Sequence, residues 1–178
     1  MRILHAVAGA ALLVVGAAGQ ARPAEAQALV YKLRHRLTDR DFAQVAAAIT
    51  ATELDLTRCQ GLSKDALQQL HGMQSLQSLT LANAGRVVEG VSHLAGLPAL
   101  RVLDVSGNKT FTGDGLAGLT QLRELSLNNC DAIQDRHLDA LHGLRDLRTL
   151  RLYGCHKIKD PGFNRLFAKL PNLHTLEL

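Results

Sequence analysis

A periodic leucine pattern constrains this chain more than any other feature. Six segments align on their leucines: "ATELDLTRC" (51–59), "LQSLTLANA" (76–84), "LRVLDVSGN" (100–108), "LRELSLNNC" (122–130), "LRTLRLYGC" (147–155) and "LHTLEL" (173–178). The shared pattern is L-x-x-L-x-L-x-x-C/N. Its third leucine position reads Leu56, Leu81, Val105, Leu127, Leu152 and Leu178, at spacings of 25, 24, 22, 25 and 26 residues. A repeat of roughly 20–50 residues marks a stacked architecture, in which each unit is too small to bury its apolar face except against its neighbours. Composition agrees, because 47% of the 178 residues are hydrophobic but only 3% are aromatic, with no Trp. A core of Leu, Val, Ile and Ala suits many thin layers better than one thick centre.

Between these segments runs a second pattern: "LSKDALQQLHGM" (62–73), "VVEGVSHLAGL" (87–97), "FTGDGLAGL" (111–119), "IQDRHLDALHGL" (133–144) and "IKDPGFNRLFAKL" (158–170). Asp or Ser near its start is expected to cap a short helix. Gly72, Gly96, Gly118 and Gly143 fall where such helices would end, a position that prefers glycine. Each unit is then strand, turn, short helix and return. This resembles the leucine-rich repeat across nearly the whole chain after residue 28. The cysteine at the ninth position is similar to the cysteine-containing subtype of F-box/leucine-rich-repeat substrate-recognition subunits and their bacterial relatives. Ala84 and Asn108 depart from that subtype, and the 22-residue unit is nearer the common short type. The resemblance implies an α/β fold: a right-handed leucine-rich-repeat solenoid shaped as a horseshoe arc, with a parallel β-sheet on the concave face and short helices on the convex face.

The pattern extends backwards. "LVYKLRHRLTDRDFAQVAAAI" aligns with "LRLYGCHKIKDPGFNRLFAKL", matching Leu37 to Ile158, Asp39 to Asp160 and Phe42 to Phe163. Leu29 and Tyr31 then fall 25 residues before Leu54 and Leu56. Residues 29–50 are expected to be a degenerate repeat acting as the N-terminal cap that solenoids need, and 51–178 the repeats proper. Thr38 with Asp41 resembles a capping box, Asp replacing the usual Glu or Gln. At the other end the pattern stops at Leu178 inside a strand, so an end-to-end homodimer through that edge is a further expectation.

Residues 1–28 read as a secretory signal peptide: Arg2, an apolar stretch from Ile3 to Ala18, then small-residue cleavage patterns ending at Ala26 or Ala28. Sixteen apolar residues fall short of the roughly 20 that span a bilayer. The expected protein is exported, periplasmic or secreted, and not held in a membrane after cleavage. Loss of Arg2, Arg22 and Glu25 leaves 18 basic and 15 acidic residues of the original 20 and 16. Mild basicity with two Tyr, four Phe and no Trp offers few stacking platforms, so no nucleic-acid partner is expected.

In the leucine-rich-repeat architecture the leucines point inward and the x positions form columns across the sheet face, with strands roughly 4.8 Å apart. The second-position column reads Thr52, Gln77, Arg101, Arg123, Arg148 and His174; the third includes Glu124; the fifth includes Asp104, Ser126 and Arg151; and Tyr153 ends the seventh. One reading is a partner-binding face with a basic ridge, formed by Arg101, Arg123, Arg148, His174, Asp104, Glu124, Ser126, Arg151 and Tyr153. The other is a solvated sheet whose arginines pair with Asp104 and Glu124.

No catalytic residues are assigned. The histidines form no metal-binding spacing, and C-x-x-C, H-E-x-x-H, phosphate loops and dinucleotide fingerprints are absent. Neither metal nor cofactor is expected. His71 and His142 share one repeat position, a Leu-His-Gly at a helix end, and read as structural. Asn108-Lys109-Thr110 matches a glycosylation sequon, but Asn108 holds an inward position. Cys59, Asn108, Cys130 and Cys155 occupy the ninth position as a structural ladder, their side chains turned in to bond backbone groups that would otherwise be buried unsatisfied. Cys59 and Cys130 lie too far apart to bridge, while Cys130 and Cys155, in adjacent repeats, are within disulfide range. The expected function is non-catalytic binding of a protein partner. The alternatives are substrate recognition of the F-box/leucine-rich-repeat type without its F-box, and, more remotely, a small hydrolase or metal enzyme.

Overall fold

The computed structural model describes residues 13–15, 30–32, 37–48 and 51–178. Each leucine segment contributes a three-residue strand: β3 (Glu53–Asp55), β4 (Ser78–Thr80), β5 (Val102–Asp104), β6 (Glu124–Ser126), β7 (Thr149–Arg151) and β8 (Thr175–Glu177). These six lie parallel in chain order, in a register that joins Leu54, Leu79, Leu103, Leu125, Leu150 and Leu176 in one row. Parallel neighbours need a crossover of about a dozen residues or more, which the repeat length supplies. Two further strands, β1 (Leu13–Val15) and β2 (Val30–Lys32), extend the sheet, β2 parallel to β3 and β1 antiparallel to β2. β1 falls within the expected signal peptide, whose other residues lie outside the described residues.

Inter-repeat bonding runs well beyond the strands. The second-position carbonyl of each repeat accepts from two N–H groups of the next, as Thr52 does from Gln77 and Ser78 at 2.7 and 3.0 Å. At the far end, the eighth-position N–H donates to the seventh-position carbonyl of the following repeat: Arg58 to Ala82, Asn83 to Ser106, Gly107 to Asn128 and Asn129 to Tyr153, all at 2.7–2.8 Å.

One left-handed residue follows each strand from β3 to β7. The eighth position has positive φ in five successive repeats: Arg58 (60°), Asn83 (53°), Gly107 (75°), Asn129 (57°) and Gly154 (77°). The reversal returns the ninth-position N–H to the sixth-position carbonyl, as from Cys59 to Leu56 at 3.0 Å and from Cys155 to Leu152 at 3.0 Å. Glycine enters this region freely and asparagine with local support, but a longer side chain is strained there. The column also alternates in size, because the Asn83 and Asn129 amides fill the space that a Cβ on Gly107 or Gly154 would need.

Behind the sheet, one continuous apolar cluster runs from Leu37 to Leu170. The repeat leucines are its staples; Leu76, Leu79, Leu81, Leu100, Leu103, Leu122 and Leu125 are all 0% exposed. The return segments are mostly 3-10 helices: Ala66–Leu70, Gly85–Gly96, Leu116–Gly118 and Asp135–Leu141. A 3-10 turn rises about 2.0 Å per residue against about 1.5 Å in an α-helix, so it covers the same return path with fewer residues. The 26-residue spacing leaves room for an α-helix, α2 (Asp160–Phe167), with Pro161 in its first turn. Its counterpart α1 (Asp39–Ala48) stands where the sequence alignment placed it, with Leu37 and Phe42 at 2% and 0% exposure.

Several expectations are corrected. The degenerate repeat is shifted by two residues: Tyr31 pairs with Leu54 rather than Leu56. Gly72, Gly96, Gly118 and Gly143 do end their helices, but none of them has positive φ. Gly118 and Gly143 instead sit close to the preceding repeat, where a Cβ would lie 3.3 Å from Ala95 Cβ and 3.0 Å from the Ala117 carbonyl oxygen. Two acidic caps act between repeats: Asp39 Oδ1 accepts from Ser63 N at 2.8 Å, and Asp135 Oδ1 from Lys159 N at 2.7 Å. The Thr38–Asp41 box forms, with the Thr38 hydroxyl and N–H donating to Asp41 Oδ2 at 2.7 and 3.2 Å. Those bonds, led by the hydroxyl, hold the Asp41 carboxyl below its ordinary pKa.

Arg58 is the one member of the left-handed column that is neither Gly nor Asn. Arg58→Asn is expected to raise stability by about 1 kcal/mol, read as a higher denaturant midpoint at unchanged slope. An unchanged midpoint would show that the turn carries no strain there.

Candidate binding face

The second-position column is continuous. Arg101 N donates to Gln77 O, Arg123 N to Arg101 O, Arg148 N to Arg123 O and His174 N to Arg148 O, each at 2.8 Å. The three arginines differ in their surroundings. Arg101 is half-buried, and its Nη1 donates to the Pro98 and Leu100 carbonyls, each at 2.9 Å. Arg123 and Arg148 are exposed. Among the described residues neither guanidinium has a hydrogen-bond or ion-pair partner.

The carboxylates expected to neutralise the ridge are engaged elsewhere. Asp104 Oδ1 accepts from its own turn, from Ser106 N at 2.8 Å. Glu124 Oε2 lies 3.5 Å from Arg151 Nη1, while Arg151 Nε donates to Glu177 Oε1 at 3.1 Å. Arg151 is thus clamped between acids from the strands on either side of its own. Ser126, expected on the displayed face, is 8% exposed and shares a 2.7 Å hydrogen bond with the Ser106 hydroxyl. It belongs to the floor of a depression of about 350 Å³ that Asp104, Glu124 and Arg151 also line. Tyr153 is 63% exposed, and its backbone N–H is fixed by Asn128 Oδ1 at 2.9 Å.

A larger depression, about 490 Å³, is lined by Arg123, Arg148, His174, Thr149, Asp146 and Asn172. The column reading did not include Asp146 or Asn172. Both immediately precede the first leucine of a repeat. Asn172 is anchored through Nδ2 to the Arg145 carbonyl at 2.9 Å, as Gln121 at the same repeat position is anchored to Leu97 at 3.0 Å. A polar residue ahead of the first leucine was the available signal. His174 Nδ1 bonds the Asn172 carbonyl, which sets the ring at the rim.

The ninth-position ladder is built of hydrogen bonds to the preceding repeat. Cys130 Sγ donates to Val105 O at 3.4 Å, Cys155 Sγ to Leu127 O at 3.1 Å, and Asn108 Nδ2 to Leu81 O at 2.8 Å, each a sixth-position carbonyl. Asn108 also donates to Val105 O at 2.7 Å and accepts from Gly85 N at 3.0 Å. Its amide is therefore committed, and its 4% exposure fits poorly with glycan attachment. No disulfide forms among the described residues, and all three cysteines are buried thiols. Burial pushes the Cys59 thiol up to about 11 and the Cys130 thiol up to about 12, and raises that of Cys155. Such thiols supply almost no thiolate, the reactive form, near neutral pH. On the helical side, His71 Nε2 meets the His93 carbonyl at 3.2 Å and His142 Nε2 lies 3.5 Å from Asp139 Oδ1. Among the described residues no three His, Cys, Asp or Glu side chains converge as a metal site.

The chain folds as a leucine-rich-repeat solenoid. Solved structures share the fold. The yeast Rad7–Elc1 complex superposes with a TM-score of 0.60 at 18% identity over 79% of this chain and 39% of that one. The TLR13–ssRNA13 complex gives 0.52 at 20% identity over 72% and 22%. The chain thus spans about two fifths of the first and under a quarter of the second. No family model matches the sequence, and no curated protein matches it.

The thiol geometry makes a direct prediction. Native protein at pH 8 is expected to react with a colorimetric thiol reagent far more slowly than unfolded protein, which should titrate as three thiols. Fast native reaction would place a cysteine at the surface.

Proposed function

We propose that the chain is a non-catalytic binding module that presents the exposed sheet face, the concave face of the arc, to a protein partner. The observation carrying this reading is the pair of exposed guanidiniums, Arg123 and Arg148, without partners among the described residues, on strands whose backbones are bonded on both sides. Two more features support it. Tyr153 stands exposed on the same face, and tyrosine and arginine are enriched among residues that dominate interface energies. Arg151, clamped by Glu124 and Glu177, gives the C-terminal part of the face a fixed charge pattern that steers a partner's approach. Rad7 was solved in complex with Elc1, an example of the fold in a protein assembly. TLR13 was solved with a single-stranded RNA, but among residues 51–178 the exposed Phe and Tyr side chains are Tyr153 and, on α2, Phe167, and single-strand binding relies on a series of stacking side chains.

The pattern of residues 1–28 supports a reading of export; separately, no helix among the described residues is long and apolar enough to cross a membrane. Mass spectrometry of the protein recovered from the cell envelope or medium should give a chain beginning at Gln27 or Leu29. A chain retaining Met1 would reject export by cleavage.

The test of the binding face is the variant R101Q/R123Q/R148Q. Capture of a cross-linked envelope partner is expected to fall roughly tenfold or more, about 1.4 kcal/mol, with the fold retained and at most a small drop in thermal midpoint from the lost Arg101 bonds. Undiminished capture would remove the ridge from the interface.

A further inference from the structure

The 490 Å³ depression is more specific than a basic ridge. Arg123 and Arg148 occupy the same position on adjacent strands, so their Cα atoms are about 4.8 Å apart. Like charges at that spacing repel, and among the described residues neither is relieved by a carboxylate. Arg101, one strand further along the column, has one guanidinium nitrogen, Nη1, committed to two backbone carbonyls. The two unpartnered guanidiniums thus sit side by side toward one end of the column, where His174 and Thr149 also line the depression.

A guanidinium presents parallel N–H groups in a fork that matches two oxygens at once. Two such forks side by side exceed what a single carboxylate offers, and suit a group with three or four oxygens and more than one negative charge. Asp146 is the lone carboxylate on the rim, and it opposes any anion. We propose that this depression is an oxyanion site for a tetrahedral group, a phosphate or sulfate ester carried by the partner, held by Arg123 and Arg148 with His174 at the rim. The proposal rests on the sheet face being the binding face, and it names the chemistry recognised there.

The test is titration calorimetry of the full 178-residue chain with inorganic phosphate, sulfate and acetate at constant ionic strength. Saturable binding of phosphate or sulfate is expected, with acetate weaker by roughly tenfold, and the tighter of the two tetrahedral ions identifies the ester. R123Q/R148Q should weaken binding roughly tenfold or more, while R101Q leaves it within about twofold, because that guanidinium is engaged by its own loop. D146N should tighten it by roughly threefold, the size of one exposed charge interaction. Thermal midpoints without added anion separate these effects from unfolding. Acetate binding as tightly as phosphate, an R101Q loss equal to that of R123Q/R148Q, or no saturable binding would each overturn the site. An oligonucleotide binding through Arg123 and Arg148 more tightly than phosphate would overturn it in favour of a phosphodiester backbone. Phosphate binding needs no partner, so it stands or falls separately from capture by the sheet face.

Discussion

The structure depends on the hydrogen bonding that each repeat makes to the next at the end of its strand. A sixth-position carbonyl receives the N–H of its own ninth residue (at Val105, the Asn108 side-chain amide instead) and, where the next repeat carries Cys or Asn, that repeat's ninth side chain. Both require the left-handed eighth residue, which turns the chain back toward the core. Without the turn, these carbonyls would be buried unsatisfied at about 1–3 kcal/mol each. The leucine layers can stack only because the backbone between them is accounted for in this way. Cooperativity is therefore close to one-dimensional: a defect in one turn acts on its own repeat and the neighbour before it.

The sequence made the leucine columns legible because their physics is local and repeated. Leu54 to Leu176 fall in one row because the period leaves no other register. The same logic located Cys59, Asn108, Cys130 and Cys155 inside the turn. It failed where the repeat degenerates. Around Tyr31 there is no leucine pair to set the phase, and the pairing moved by two residues. It placed the helix-ending glycines correctly but did not separate their role from that of the turn glycines. Conformational freedom is used at Gly107 and Gly154, whereas Gly118 and Gly143 serve close approach. The left-handed column was visible as Asn83, Gly107, Asn129 and Gly154, but Arg58 disguised it.

The binding face was readable as a set of columns and unreadable as a set of pairs. Adjacent-strand geometry allows each arginine several acids at similar distance, and the choice is made by side-chain reach. Arg151 took Glu124 and Glu177, and Asp104 was claimed by its own turn. What remained was an uneven ridge: an Arg101 tied to backbone through one guanidinium nitrogen beside an unpartnered Arg123 and Arg148. Charge counting along a column gives all three equal weight, but desolvation and bonding do not.

The three cysteines carry a consequence for how such a chain matures. Two are useful as thiols, because Sγ–H is the donor that Val105 and Leu127 receive from Cys130 and Cys155. Oxidation would remove the hydrogen and with it the bond. The finished fold gains nothing from an oxidant and shields its sulfurs from one. Redox vulnerability belongs to the unfolded chain alone, where closing the short loop between Cys130 and Cys155 carries little entropic penalty. The native state of this protein is one in which all three sulfurs are buried as thiols.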